Sequence, residues 1–252
     1  MIQKNLKLTL LYHELKSPLV VVETGVSSLL NRSRYGSLSE KQEKVLKRIQ
    51  RNARTAQLLV NDMLELGCVQ KGIIREIPIK VSSIISEVLW QVLDLTNHNL
   101  SAKIKNVLNL TQLQSILTEG GITLSISSEI WEKEFYLDKR KIKQIIRNLM
   151  SNALKHMKNS IEITIKEQNN CFMCSVKDNG KGISPKYHKK IFEAYFQMDE
   201  LEEHNLRGHG LGLAGALILV EEMGGDLLLE SDVGKGAKFI VLLPLPEMLN
   251  EG

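Results

Sequence analysis

Residues 148–156 read NLMSNALKH, and the spacing of their polar side chains points to a ligand site on a helix. Asn148, Asn152, Lys155 and His156 recur at intervals of three and four residues, which places them along one helical face. Asparagine oxygens suit magnesium, and Lys155 offers a point charge to a phosphate. Taken alone, the same pattern also fits a polar stripe that faces solvent.

Two glycine-containing segments follow along the chain. Residues 178–182 read DNGKG after a predicted strand, so Gly180 and Gly182 allow the backbone to approach a ligand closely. The carboxylate of Asp178 can accept a hydrogen bond from an exocyclic amine. The second segment leads into an apolar helix, where free amides bind phosphate well. Its members are Gly208, Gly210, Leu211 and Gly212. A tight turn and a flexible linker are the simpler explanations of the two segments.

A candidate nucleophile lies near the start of the sequence, in HELKSPL at residues 13–19. On a helix His13 lies about 200° from Leu11, so it is expected to point away from the apolar stripe. Glu14 can accept the proton that an attacking imidazole nitrogen loses, and Ser17 is expected one turn further on the same face. An ordinary surface histidine is the simpler explanation of this motif alone.

Hydrophobic spacing changes near Lys71. Before it, apolar residues recur every three or four positions in two helical stretches, the second with a heptad pattern from Val45 to Leu66. Ser39 followed by Gln42 predicts a capping box at the start of the second helix. Two helices cannot enclose a core alone, and the heptad pattern favours a dimeric four-helix bundle built from two chains.

Beyond residue 71 the pattern mixes strands with helices. Helices are predicted at 82–117 with an interruption near 97–99, at 138–155 and at 211–223. Strands are predicted at 73–81, 121–127, 161–166, 171–176, 226–231 and 237–243. This mixture predicts an α/β sandwich, so the expected fold class is α+β, with a helical hairpin followed by a sandwich domain.

Composition narrows the possible functions. The 252 residues are 43% hydrophobic and 25% charged, which is the balance of a globular protein with a sizeable core. A net charge of +4 is too weak to argue for nucleic-acid binding. The longest apolar run is about half of what spans a bilayer, and three cysteines suit a reducing compartment. We therefore expect a cytoplasmic chain without membrane contact of its own.

Taken together and in this order, the motifs resemble those of the two-component sensor histidine kinases. Residues 13–19 resemble the phosphoacceptor box, 148–156 the asparagine box, and 178–182 and 208–212 the two glycine boxes. Residues 191–197 (IFEAYFQ) resemble the phenylalanine box, and 225–239 resemble the terminal hairpin. Each motif is modest by itself, but the ordered set covers nearly the whole chain.

The resemblance implies two domains, a dimerisation and histidine phosphotransfer domain at 1–71 and a Bergerat-type ATP-binding domain at 72–252. His13 would carry the phosphoryl group, Glu14 would act as its base, and Ser17 would assist dephosphorylation of the partner. The other implied roles are magnesium binding by Asn152 with Asn148 nearby, adenine recognition by Asp178, and nucleotide contacts by Lys155, His156, Gly180, Gly182, Arg207, Gly208, Gly210, Leu211 and Gly212. The implied cofactors are ATP and Mg²⁺, and the implied partners are a second copy of the chain and a response-regulator receiver domain.

Three departures from the family pattern stand out. Ala237 occupies a position where a threonine is common, Gln197 one where a basic residue is common, and residues 96–114 lengthen the first helical region of the second domain. Two other functions stay open: a non-catalytic docking module, and an ATPase of the gyrase and mismatch-repair type. The intact motif residues argue against the first. Asn148, where such ATPases carry a catalytic glutamate, argues against the second.

Overall fold

The computed structural model describes residues 2–31, 35–67, 75–105, 107, 109–194, 196 and 210–246. Before residue 68, side chains are described at 14–31, 35–53, 56–57 and 60. Internal contacts divide the chain into two compact units, Met1–Gln70 and Lys71–Gly252.

In the described part of the first unit there are two long helices, α1 (Ile2–Leu30) and α2 (Glu40–Gly67). The predicted capping box is confirmed, since Gln42 N–H donates to Ser39 Oγ at 3.3 Å and Ser39 N–H donates to Gln42 Oε1 at 2.9 Å. These reciprocal bonds satisfy donors that the first turn of a helix leaves open, and they fix where α2 begins.

The apolar faces of the helix pair are only partly covered. Val26 and Ala53 are buried, and Gln50 Nε2 donates to Ser27 Oγ at 2.8 Å across the pair. Other apolar side chains of the predicted stripes are exposed, namely Leu15, Val22, Leu29, Val45 and Ile49. The helix pair therefore leaves much of both stripes uncovered, because two helices offer too little surface to cover them.

Among the described residues, the second unit consists of six α-helices, seven strands and two short 3-10 helices at Pro185–Tyr187 and Lys190–Phe192. The helices are α3 (Val81–Thr96), α4 (His98–Ile104), α5 (Leu110–Glu119), α6 (Ser128–Glu132), α7 (Lys139–His156) and α8 (Gly212–Glu222). The strands are β1 (Glu76–Lys80), β2 (Ile122–Ser125), β3 (Glu134–Asp138), β4 (Ile161–Gln168), β5 (Cys171–Asp178), β6 (Asp226–Ser231) and β7 (Ala237–Pro244).

The described strands form two sheets, and the larger one has five strands. Its order is β2-β4-β5-β7-β6, with β2 parallel to β4 and the other neighbours antiparallel, while β1 and β3 pair separately. Along β7 the side chains at 237, 239, 241 and 243 are buried and those between them are not. Helix α7 packs on β5, α8 on β6, and α3 on α7. The predicted α/β sandwich is thus confirmed.

The structure corrects several boundaries of the predicted elements. The long helix predicted at 82–117 is three helices, because Asn97 Oδ1 caps α4 at Leu100 N–H and Asn109 Oδ1 caps α5 at Gln112 N–H. The first of these breaks was expected, and the second was missed. Helix α6 and strand β3 were also missed. Strand β3 depends on pairing with β1, which lies more than fifty positions earlier in the sequence. A local sequence pattern does not indicate such a distant pairing.

Candidate functional site

Helix α7 provides one wall of the candidate nucleotide site. Asp138 begins the helix by accepting the N–H groups of Arg140 and Lys141 at 3.0 and 3.2 Å, so the preceding strand β3 fixes the helix start. Toward the other end Asn152 is half-buried. Among the described residues, none forms a hydrogen bond with its carboxamide. Its oxygen is therefore available to a ligand.

Asn148 lies one turn earlier and has a different environment. Its side chain is only 7% exposed, and its Nδ2 donates to the carbonyl oxygen of Gly212 at 2.9 Å. Gln144 Nε2 approaches the Asn148 oxygen at 3.4 Å. The explanation of residues 148–156 as a solvent-facing stripe is therefore wrong for Asn148, which joins α7 to the first residue of α8.

Lys155 and His156 end α7, and both are exposed. Partial desolvation lowers the pKa of Lys155 from its usual value. Within the part of the chain that the structure describes, Lys155 has no ion-pair partner that would offset this cost. A phosphate placed beside the ammonium group would favour its charged form and reverse the shift.

Asp178 is the most buried acidic group of the candidate site. It ends β5, is 2% exposed, and accepts the N–H of Gly180 at 2.8 Å through Oδ1. No hydrogen bond from the described residues reaches its second oxygen. Because a buried polar atom without a partner is costly, this oxygen fits a ligand donor such as the amino group of adenine.

Glycines bring the separate motifs together. A Cβ at Gly180 would lie 2.0 Å from the carbonyl oxygen of His156, so the first glycine segment packs directly on the end of α7. A Cβ at Gly236 would lie 1.9 Å from the carbonyl oxygen of Asp178, which places the terminal hairpin on the same segment. Gly182, with a φ of +71°, similarly packs against Asp232. No side chain larger than hydrogen fits these three approaches.

The second glycine segment is described only in part. Arg207 and Gly208 lie outside the described residues, as does Gln197. Gly210 has a φ of +67°, Leu211 is buried at 1% exposure, and Gly212 begins α8 without a side-chain cap. The start of α8 therefore leaves backbone N–H groups open near Asn148, as an anion-binding helix start requires.

The predicted phosphoacceptor motif lies on α1, in the first unit. His13 belongs to this helix, but its side chain is outside the described residues. Glu14 and Ser17 are both exposed. The motif is therefore helical and its described polar side chains are open to solvent, as the sequence predicts.

Two residues of the site escaped the sequence analysis. Asn179 Oδ1 accepts three consecutive backbone N–H groups from residues 158–160. Ser231 Oγ accepts the N–H of Ile183 at 2.8 Å and donates to the carbonyl oxygen of Gly236 at 2.6 Å. Asn179 stands inside the DNGKG motif, and this position was the one signal available. Nothing in the sequence around Ser231 distinguishes it.

Ala237 lies opposite Asp178 in the pairing of β5 with β7, so the two side chains share the inner face of the sheet. Ala237→Thr would add a hydroxyl beside the Asp178 carboxylate, and we expect ATP to bind more tightly by at most about 1 kcal/mol. Calorimetry measures the change, and Ala237→Val is the control because valine adds the same volume without the hydroxyl. Equal affinities for the threonine and valine variants would contradict the expected contact.

Comparisons with known proteins agree with these features. Residues 8–72 match the His Kinase A (phospho-acceptor) domain family, and residues 137–247 match the histidine kinase-, DNA gyrase B- and HSP90-like ATPase family. In the described residues no helix is long and apolar enough to cross a membrane.

Several named proteins are similar to this chain. The circadian input-output histidine kinase CikA of Synechococcus elongatus is 30% identical over 234 residues, covering 92% of this chain and 29% of CikA. The sensor protein SrrB of Staphylococcus aureus is 34% identical over 112 residues, covering 44% of this chain and 19% of SrrB. The chain thus spans less than a third of the length of these relatives.

A solved structure, full-length ShkA in complex with AMPPNP, superposes with a TM-score of 0.62 at 23% identity. The superposition covers 95% of this chain and 45% of ShkA. The Acinetobacter baumannii histidine kinase AdeS superposes with a TM-score of 0.55 at 16% identity, covering 93% of this chain and 98% of that one. At these identities the likeness shows a shared fold.

Proposed function

The chain belongs to the sensor histidine kinases, and from this premise we propose that it is an ATP-dependent kinase that autophosphorylates His13. It then passes the phosphoryl group to an aspartate of a response-regulator receiver domain. The observation that carries the proposal is the buried Asp178 carboxylate, one oxygen of which accepts no hydrogen bond from the described residues. Its segment packs through Gly180 on the helix end that bears Lys155.

The two units have different functions in the proposed mechanism. Residues 1–71 form the dimerisation and phosphotransfer domain, and residues 72–252 form the catalytic ATP-binding domain. The exposed apolar stripes of α1 and α2, with Leu15, Val45 and Ile49 among their members, support a four-helix bundle of two chains. Burying such a face against a second copy removes apolar surface from water, which stabilises the dimer.

The nucleotide site holds ATP at two ends. Asp178 accepts the adenine amine with its open oxygen, and Lys155 interacts with phosphate through its ammonium group. His156 adds a contact beside Lys155. The phosphates also reach the glycine-rich start of α8, where Gly210, Leu211 and Gly212 present backbone N–H groups. Arg207 and Gly208, which lie outside the described residues, would add a cationic side chain and a further glycine to the phosphate contact.

Of the two asparagines in the site, Asn152 is the better ligand for a magnesium ion. Asn152 has an oxygen that the described residues leave open, whereas the amide of Asn148 is committed to Gly212 and Gln144. Asn152 would therefore hold the ion, and Asn148 would fix the start of α8 beside it. When bound, magnesium neutralises charge on the phosphates, and a single protein oxygen is sufficient because the phosphates supply others.

Phosphoryl transfer needs a nitrogen nucleophile and a base. An imidazole nitrogen of His13 attacks the terminal phosphorus, a nitrogen–phosphorus bond forms, and the bond to the leaving oxygen of ADP breaks. The proton lost by His13 passes to Glu14, which is next to it on α1. The receiver aspartate afterwards attacks the same phosphorus and displaces the imidazole.

Incubation of the chain with terminally labelled ATP and Mg²⁺ tests the proposal. We expect a label on the protein that survives base and is lost in acid, since phosphohistidine is acid-labile. A non-catalytic docking module would take up no label. An ATPase of the gyrase type would release labelled phosphate without labelling the protein.

Asp178→Asn should weaken ATP binding, because an amide in place of the carboxylate turns a donor toward the adenine amine. A hydrogen bond to a charged group contributes about 1.5–3 kcal/mol, which corresponds to roughly tenfold to more than a hundredfold in affinity. Calorimetry with AMPPNP measures the loss. Asp226→Asn is the control, because Asp226 is exposed at the start of β6. Equal affinity for the Asp178 variant and the parent would remove Asp178 from adenine recognition.

Ser17 is exposed one helical turn beyond His13, where its hydroxyl can hydrogen-bond an attacking water. Ser17→Ala should leave autophosphorylation largely intact and slow, severalfold, the loss of phosphate from a phosphorylated receiver domain. The measurement is the rate of phosphate release from a purified, phosphorylated receiver domain after the parent or the variant chain is added. Ser37→Ala is the control, because Ser37 is exposed and lies between α1 and α2. Identical release rates for the Ser17 variant and the parent would exclude Ser17 from dephosphorylation.

A further inference from the structure

The side chain of Asn179 joins the loop after α7 to the segment that begins at Asp178. Its Oδ1 accepts hydrogen bonds from three consecutive backbone N–H groups, those of Lys158 and Asn159 at 3.1 Å and of Ser160 at 3.0 Å. Its Nδ2 donates to Asn159 Oδ1, and its backbone N–H donates to Ser160 O at 3.3 Å. One residue therefore makes five hydrogen bonds, all to the same short loop.

The loop at residues 157–160 is also held from its other side. A Cβ at Gly121 would lie 2.3 Å from the carbonyl oxygen of Asn159, so the start of β2 packs directly on the loop. The N–H of Ile161 donates to Gly121 O at 2.9 Å. Between Gly121 and Asn179 the loop has little freedom, and its position fixes where α7 ends.

Fixing the end of α7 also fixes the two ends of the nucleotide site relative to each other. Lys155 and His156 lie immediately before the loop, and Asp178 lies immediately before Asn179. Gly180 packs on the carbonyl oxygen of His156, so the first glycine segment is also in direct contact with the end of α7. The distance from the adenine-binding carboxylate to the ammonium group of Lys155 therefore depends on the bonds made by Asn179.

We propose that Asn179 is a positioning residue of the nucleotide site. Its side chain holds the Lys155 end of α7 at the separation from Asp178 that one ATP molecule spans. This inference rests on the proposed function. It adds a residue that touches neither base nor phosphate and whose carboxamide is already occupied by the protein itself.

Residues 158–160 of the loop are exposed, so water can reach their backbone N–H groups when the Asn179 side chain is removed. In Asn179→Ala, water can satisfy the three N–H groups, so the domain should stay folded while the loop and the end of α7 lose their fixed position. We expect ATP affinity to fall about tenfold at a temperature well below unfolding. Since Asn179 contributes no atom to the proposed transfer, KM for ATP in autophosphorylation should rise about tenfold and kcat at saturating ATP should change by less than about twofold.

Asn179→Asp is the rescue variant. A carboxylate keeps the acceptor for the three N–H groups, and the amide of Asn159 can rotate to donate a hydrogen bond to it. We expect ATP affinity within about threefold of the parent. Gln114→Ala is the matched control, because Gln114 Nε2 donates to Leu124 O at 2.9 Å in the same unit and its loss removes a side-chain bond to the backbone elsewhere. This control should lower the melting temperature without changing KM.

Two results would overturn the inference while leaving the proposed function intact. One is that the parent chain autophosphorylates and a folded Asn179→Ala variant binds ATP as tightly as the parent does. The other is a folded Asn179→Asp variant that binds as weakly as the alanine variant, which would show that the acceptor is irrelevant. A parent chain that neither binds ATP nor takes up label would overturn both the proposed function and this inference.

Discussion

His13→Gln is expected to abolish the acid-labile label from ATP while nucleotide affinity stays at the level of the parent. Glutamine has no ring nitrogen able to attack phosphorus, and the proposed ATP site consists of residues of the second unit. The label should fall below detection, because no step of the proposed transfer proceeds without the His13 nucleophile. Filter binding after incubation with labelled ATP measures the label, and calorimetry with AMPPNP measures the affinity.

A second histidine supplies the control for this experiment. His98 is exposed on α4 and contacts the carboxylate of Asp94, so it is a second exposed imidazole with a neighbouring acidic group. His98→Gln should keep the full label. Retention of label by His13→Gln, or its loss in His98→Gln, would contradict the assignment of His13 as phosphoacceptor.

Gly180→Ala is expected to cost most of the ATP affinity. The new Cβ would lie 2.0 Å from the carbonyl oxygen of His156 and 2.9 Å from Asp178 Oδ1, and the first of these neighbours is backbone that cannot rotate away. The glycine segment must therefore separate from the end of α7. Forcing extra atoms into a packed site typically costs about 1–3 kcal/mol, and a cost of this size in the bound state corresponds to an affinity loss of roughly fivefold to more than a hundredfold.

Gly215→Ala is the matched control for that substitution. Its Cβ would meet only the amide nitrogen of Asn148 at 3.7 Å, an ordinary contact, and alanine is the better helix former inside α8. ATP affinity should stay near that of the parent in this variant and fall in Gly180→Ala. Binding of AMPPNP by Gly180→Ala at parental strength would show that the two segments need not touch for nucleotide binding.

Local patterns were sufficient for much of the chain. The capping box of Ser39 and Gln42 could be predicted because both partners lie within one helical turn. Strands β4, β6 and β7 could be predicted because each alternates in burial along a few consecutive residues, and β5 because it is a short, almost fully buried run that follows a turn. The ordered motifs likewise indicated the family, since their residue types and spacings are properties of the sequence alone.

Other features could not be predicted because their cause is distant in the chain. Strand β3 exists through its pairing with β1, and the break before α5 was hidden inside an apolar pattern that continues across it. Asn148 looked like a candidate ligand with Asn152, but its amide bonds to Gly212, sixty-four positions later. Sequence spacing places two side chains on one helical face without revealing which of them the rest of the fold occupies.

The sequence by itself determined which chemical groups are present and in what order: an imidazole with a neighbouring carboxylate, a pair of asparagines, and an acidic residue followed by glycines. Only the tertiary structure decided which of these groups are open to a ligand. At 2% exposure, Asp178 keeps one oxygen that accepts no hydrogen bond from the described residues, whereas Asn148 and Asn179 bind the protein's own backbone. The physical reason is that a buried polar group must find a partner, and the partner is supplied by whichever distant segment the fold brings within hydrogen-bonding distance.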